Sequence, residues 1–147
     1  DSKLKIQLDE FPDITFMYTP NEIIATTSNG NTILITGMPI WNAYFTDLTG
    51  DGFPEICSEV SFGSGIIDNH VIIFDYANGV SYKLADRGYH DYFLRMNDTD
   101  GCLYVDKKLY KSDEFVSSGK LVFKDGCIQL EGFTHLTLDD WTITDIE

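Results

Sequence analysis

The feature that most constrains this chain is its punctuation. Asn29-Gly30, Gly63-Ser64-Gly65, Asn78-Gly79, Asp98-Thr99-Asp100-Gly101, Ser118-Gly119 and Asp125-Gly126 divide it into short pieces. Gly, Asn and Asp tolerate the backbone angles of tight turns, so this spacing suits hairpins and breaks long helices. The pieces between are rich in β-branched and aromatic residues, as in Ile23-Ile24-Ala25-Thr26-Thr27 and Thr32-Ile33-Leu34-Ile35-Thr36. Such residues fit a pleated, half-buried surface. Asn29-Gly30 between those two runs predicts a hairpin with positive φ at both turn positions. No window of about 11 residues holds a 3.6-residue apolar period.

Strands are expected at Leu4–Leu8, Ile14–Tyr18, Glu22–Thr27, Thr32–Thr36, Asn42–Thr46, Glu55–Ser61 and Ile67–Tyr76. Further ones are expected at Val80–Ala85, Asp91–Met96, Gly101–Asp106, Lys120–Lys124 and Cys127–Leu130. The fold class is all-β, with antiparallel hairpins forming a sandwich, a barrel or a few propeller-like blades and little or no helix. The 147 residues are read as a single β domain, with no internal linker. The acidic stretch from Thr134 to Glu147 is read as a last strand, or as a segment docking through Trp141. Opening at Asp1-Ser2-Lys3, the chain is expected to be a piece of a longer membrane protein.

The formal net charge is −14. From Ile6 to Tyr82 there is no Lys or Arg, yet Asp9, Glu10, Asp13, Glu22, Asp47, Asp51, Glu55, Glu59, Asp68 and Asp75 all fall there. A surface of this sign repels phosphate and argues against nucleic acid as a partner. It reads either as a solvated acidic surface or as carboxylates partly offset by a cation. No apolar run reaches the ~20 residues a membrane-spanning helix needs. Cys57, Cys102 and Cys127 are an odd number and contain no C-x-x-C pair, so redox compartment is not legible from them. Cys102 and Cys127 each open a strand-like segment and can pair only if those strands adjoin.

The sharpest motif is Asp47-Leu48-Thr49-Gly50-Asp51-Gly52-Phe53-Pro54-Glu55. Calcium takes roughly 6–8 oxygen ligands from a tightly wound loop. Asp47, Thr49 and Asp51 supply side-chain oxygens at loop positions one, three and five. Gly52 permits the sharp turn at position six. Phe53 offers its carbonyl, and Glu55 a carboxylate at position nine. Ile56 should then anchor the returning strand. An EF-hand needs flanking helices and a Glu where Ser58 stands, so this loop is not one. The metal-free reading is a turn closed by Asp-to-backbone hydrogen bonds.

These nine residues resemble the FG-GAP repeat, the calcium loop between two strands of integrin-type propeller blades. That family usually has Asn or Asp where Thr49 stands, which implies a weaker site here. A longer resemblance rests on four segments: Gly37-Met38-Pro39-Ile40-Trp41, Tyr44 to Gly52, Val60 to Asp68, and Asp75-Tyr76-Ala77-Asn78-Gly79. Together they are similar to the C-terminal extracytoplasmic region of Firmicutes membrane proteins related to the beta-lactam-sensing antirepressor/metallopeptidase family. The resemblance implies an extracytoplasmic sensor or accessory module, with any membrane contact made by other parts of the parent protein.

The chemistry of that family's other domains is not written here. None of His70, His90 or His135 begins H-E-x-x-H, so the zinc peptidase motif is missing. Ser117-Ser118-Gly119-Lys120 matches S-x-x-K literally but is read as a hairpin turn ahead of a strand, with no S-D-N or K-T-G string elsewhere. Asp68-x-His70 and Asp86 to Asp91 are weaker candidates for a zinc site. Gly63-Ser64-Gly65 reads as a flexible turn or a ligand-contacting loop. Trp41, Tyr44, Tyr82, Tyr89, Tyr92 and Trp141 pack in the core or stack on a sugar or peptide. The function expected is a non-enzymatic, calcium-stabilised sensor module for an unknown small ligand or protein partner. The alternatives are a small carbohydrate- or peptidoglycan-binding module and a carboxylate-dependent hydrolase.

Overall fold

A computed structural model describes residues 3–63, 65–85, 89–131 and 139–142, the last four by their backbone alone. Thirteen strands follow in order: β1 (Leu4–Ile6), β2 (Thr15–Tyr18), β3 (Glu22–Thr27), β4 (Gly30–Thr36), β5 (Ile40–Thr46), β6 (Glu55–Phe62) and β7 (Asp68–Asp75), then β8 (Val80–Leu84), β9 (His90–Met96), β10 (Leu103–Leu109), β11 (Phe115–Lys124), β12 (Cys127–Glu131) and β13 (Asp139–Thr142). No helix occurs among the described residues.

The strands form three open antiparallel sheets, ordered β1-β2-β3-β4, β13-β8-β7-β6-β5 and β12-β11-β10-β9. Each sheet is built on a meander of four consecutive strands, and β13 extends the second by pairing with β8. The chain is all-β, as expected, in a sandwich-like or blade-like arrangement. The barrel alternative falls away, since none of the three sheets closes on itself.

The second sheet is the middle layer. All eight residues of β7 are buried. A strand covered on both faces loses the usual apolar–polar alternation, which accounts for the continuous run Val71-Ile72-Ile73-Phe74. Ile72 and Phe74 join Ile56 and Val60 in a core shared with Phe16, Ile23 and Leu34 of the first sheet. Val71 and Ile73 join Cys57 in a core shared with Leu94, Val105 and Leu121 of the third. Each fully buried apolar side chain contributes about 1.5–3 kcal/mol, so two cores sharing β6 and β7 fix how the three sheets stack.

Two turn readings need correction. The β3–β4 hairpin turns through Ser28 and Asn29, because Thr27 pairs with Gly30. Only Gly30 takes positive φ (127°), and Thr27 Oγ1 accepts the Asn29 N–H, so a threonine hydroxyl shifts the turn by one residue. Ser118-Gly119 is not a turn. Ser117, Ser118, Gly119 and Lys120 lie inside β11, opposite Lys107, Asp106, Val105 and Tyr104. Ser117 and Lys120 therefore point to opposite faces, which removes the S-x-x-K geometry. Cys102 and Cys127 flank strands separated by β11, and all three cysteines are free thiols. Of the tail, Asp139–Thr142 forms β13, and the rest of the Thr134–Glu147 reading lies outside the described residues.

Candidate metal centre

The loop from Asp47 to Pro54 joins β5 to β6, the first two strands of the middle sheet. Its shape follows from short side chains hydrogen-bonding to nearby backbone. Asp47 Oδ1 accepts from the Gly50 N–H at 2.8 Å, and Oδ2 from the Gly52 N–H at 2.8 Å. Asp51 Oδ1 accepts from the Phe53 N–H at 2.9 Å, and Thr49 Oγ1 accepts from the Asp51 N–H at 3.3 Å. Gly50 and Gly52 sit at φ 79° and 91°, where a side chain would be strained. Ile56 is 1% exposed and anchors the returning strand.

The loop brings together oxygens of Asp47, Asp51 and Glu55, all within 4.8 Å of one another. Asp47 and Asp51 are exposed, whereas Glu55 is fully buried. Glu55 Oε1 accepts from the Leu48 N–H at 2.6 Å and the Thr49 N–H at 3.3 Å. Its Oε2 is buried and has no hydrogen-bond partner. A carboxylate oxygen hidden from water with nothing to bind is costly.

The electrostatics follow from that placement. Burial pushes the Glu55 carboxyl up to about 7; the Leu48 N–H opposes this, while Asp75 and Asp51 add to it. Glu55 and Asp75 would be next in register after the Ile56–Phe74 pair, which puts both on the face turned toward the third sheet. Asp47 behaves differently. Burial works against its ionisation, but the N–H groups of Gly52, Gly50 and Asp51 outweigh it and hold the carboxyl below its ordinary range. A cation fits this donor set: ionised Asp47, exposed Asp51 and a buried Glu55 with a free oxygen. Among the described residues no other group of His, Cys, Asp and Glu has metal-ligand spacing.

Thr49 joins the set through its hydroxyl, which donates to Asp47 Oδ1 at 3.4 Å. The Phe53 ring packs on Phe11, their centroids 5.3 Å apart, which anchors the loop at the residue whose carbonyl the motif offers. Beside the loop lies a groove of about 370 Å³ lined by Thr49, Asp51, Asp75, Asn78, Tyr82 and Phe123. Asp75 fixes Asn78, accepting from its backbone N–H at 3.1 Å and its Nδ2 at 2.8 Å. The motif reading does not reach Asp75, Asn78 or Phe123. The only sequence signal was an Asp three residues before the Asn of an Asn-Gly turn, a common way to hold such a turn.

The other candidates disperse. His70 Nε2 lies 2.8 Å from Asp68 Oδ1, both buried, while the His90 ring lies tilted 6.5 Å from that of Tyr92, and among the described residues no zinc cluster includes either. Asp86, Arg87 and Gly88 lie outside the described residues, as does the Trp141 side chain. Tyr82 and Tyr92 are core residues, whereas Trp41 and Tyr89 are 59% and 70% exposed. Trp41 Nε1 donates to Ser61 Oγ at 2.7 Å, Ser61 Oγ donates to Asn69 Oδ1 at 2.7 Å, and Asn69 Nδ2 donates to Glu59 Oε2 at 2.8 Å. The sequence has no local signature for this relay, since its members come from three strands.

Comparison with protein-family models, curated proteins and solved structures returns no match for the chain.

Proposed function

We propose that this chain is a non-enzymatic, calcium-stabilised binding module that senses a small ligand or protein partner on the outer side of a bacterial cell membrane. The observation that carries the metal is Glu55 Oε2: a buried, unpartnered carboxylate oxygen among the acids of a turn-rich loop. Asp47, Asp51 and Glu55 would hold the cation with three carboxylates, the Thr49 hydroxyl and the Phe53 carbonyl adding neutral oxygens. Hard oxygen donors select calcium or magnesium over softer metals. Calcium accepts the larger and less regular shell, while magnesium demands near-octahedral geometry and keeps its waters. Three carboxylates and two neutral donors leave room for water and give a weak site, in the ~10⁻⁴–10⁻³ M class of extracellular modules. Such a site fills only where calcium is abundant, which supports the extracytoplasmic placement.

The non-enzymatic reading rests on access. A general acid must touch its substrate. Glu55, the carboxyl with the raised pKa, is fully buried and does not line the adjoining groove. Ser117 and Lys120 on opposite faces of β11 offer no acylation pair.

The test is a thermal melting series in calcium, magnesium and EDTA. Calcium at a hundredfold excess over Kd should stabilise the wild type by roughly 2.7 kcal/mol. Asp51→Ala should abolish that gain, and Thr49→Asp should enlarge it by adding a charged ligand. No calcium-specific shift in the wild type, with Thr49→Asp equally unresponsive, would make the loop a metal-free turn.

A further inference from the structure

The groove beside the loop is built by three separate stretches of chain: the metal loop, the β7–β8 turn and the end of β11. Each contributes a different chemistry. Thr49 and Asp51 belong to the loop and also line the groove, and Asp51 is one of the three clustered acids. Asn78 presents a carboxamide held in place by Asp75. Phe123 lies on the same face of β11 as the buried Leu121 but beyond the end of the core, and is 43% exposed. Its side chain also lines the groove.

Charge narrows the ligand. Asp47, Asp51, Glu55 and Asp75 crowd this end of the sheet, and among the described residues no Lys or Arg lines the groove. One divalent cation offsets only part of that charge, so an anionic ligand is repelled. Coordination narrows it further. Five protein oxygens leave a calcium shell short of its ordinary complement of roughly 6–8, to be completed by neutral oxygens. Two adjacent hydroxyls on a ring replace two waters at once, with less entropy lost than by two independent ligands. Their protons find acceptors in the carboxylate of Asp51 and the side chain of Asn78, and the apolar face of a sugar ring suits an exposed phenyl group.

We propose that the groove is a calcium-dependent site for a neutral sugar, whose adjacent hydroxyl pair completes the cation's shell at Thr49 and Asp51 while its ring lies on Phe123. The proposal rests on the calcium reading above and adds a ligand class to it. Asn78, from the β7–β8 turn, is the specificity-determining contact. The Trp41 side chain, held by the Ser61–Asn69–Glu59 relay, stands outside this groove and is no part of the site.

The experiment is saturation-transfer NMR on the whole chain with methyl α-mannoside, methyl β-galactoside and methyl β-N-acetylglucosaminide, in millimolar calcium and again in EDTA. At least one glycoside should take up saturation in calcium and lose it in EDTA. Its fully O-methylated counterpart, which keeps the ring but has no hydroxyl pair, should stay silent in both. Phe123→Ala should weaken binding roughly fivefold and leave the calcium melting shift intact, which shows that the variant still folds and loads the metal. Asp51→Ala should abolish both. If calcium raises the melting temperature but no glycoside responds, the sugar site is overturned and the metal site stands. If calcium produces no shift, both fall. Glycoside binding that persists in EDTA, or that the O-methylated compound shares, overturns the calcium-bridged mode.

Discussion

Glu55 and Glu59 lie four residues apart on β6, on the same face of the same sheet, and both are buried. Glu59 is fully employed. Its Oε1 accepts from the Leu94 N–H of β9 at 2.8 Å and its Oε2 from Asn69 Nδ2 at 2.8 Å. The Leu94 N–H belongs to an edge strand, so Glu59 blunts that edge and ties the third sheet to the second. Asp91 acts in the reverse direction, reaching from β9 to accept the Asn69 N–H at 2.9 Å. Glu55 uses one oxygen and leaves the other unpartnered. Two buried glutamates on one face thus serve two ends. A carboxylate with both oxygens committed to protein holds the fold, and one with an oxygen left over awaits a ligand.

The hardest blow to this comparison is Glu59→Ala. It strands the buried Leu94 N–H and leaves Asn69 Nδ2 only its 3.3 Å bond to the Tyr92 carbonyl, at a cost of about 1–3 kcal/mol for each lost partner. A loss of about 4 kcal/mol is expected, equivalent to roughly 10 °C in melting temperature for a chain of this size. The loss should be the same in calcium and in EDTA. A calcium-dependent loss, read by urea unfolding under both conditions, would mean that Glu59 also supports the metal.

Glu55→Gln is the counterpart and has a smaller expected effect of a different kind. Glutamine keeps an acceptor for the Leu48 N–H but carries no charge, so the metal-free protein should be as stable as wild type or gain about 1 kcal/mol. The calcium-dependent gain of roughly 2.7 kcal/mol at a hundredfold excess over Kd should vanish. If Glu55→Gln destabilises the protein in EDTA as Glu59→Ala does, the two glutamates are alike and the distinction fails.

What was legible before the structure tracks sequence range. The Asp47–Glu55 loop could be read because its contacts are local: Asp47 to Gly50 and Gly52, Asp51 to Phe53. The β-strands could be read because residue type and turn spacing are local too. Turn register was less legible, since the Thr27 hydroxyl displaces the β3–β4 turn from Asn29-Gly30. Ser118-Gly119 misled because both residues pair within β11, opposite Asp106 and Val105. Glu59, Asn69 and Leu94 could not be connected in advance. Their hydrogen bonds span up to 35 residues and depend on how two sheets stack. The groove was hidden for the same reason, for Phe123 reaches the metal loop only through tertiary packing.

Asp106 gives the mildest form of the comparison, since it is a paired carboxylate near the surface. Arg95 Nε donates to its Oδ2 at 2.9 Å and Arg95 Nη2 to its Oδ1 at 3.0 Å, and Ser118 Oγ donates to Oδ1 at 2.8 Å. Burial works against the charge, but the Arg95 and Ser118 hydrogen bonds outweigh it and hold the carboxyl below its ordinary range. A carboxyl lowered in the folded state stabilises the fold above its ordinary pKa, and that stability is lost as pH falls through the lowered value. The Asp106 contribution should therefore be full at neutral pH and fade only below about pH 4. Because the Arg95 side chain is 44% exposed, solvent screens the pair, and the contribution should stay under about 1 kcal/mol. Asp106→Asn should thus cost little at pH 7 and nothing near pH 2, with high salt shrinking the neutral-pH difference. Urea unfolding at both pH values reads this directly. A loss as large as that of Glu59→Ala, or one that persists in acid, would show that Asp106 acts through packing against Ser118 rather than through its charge.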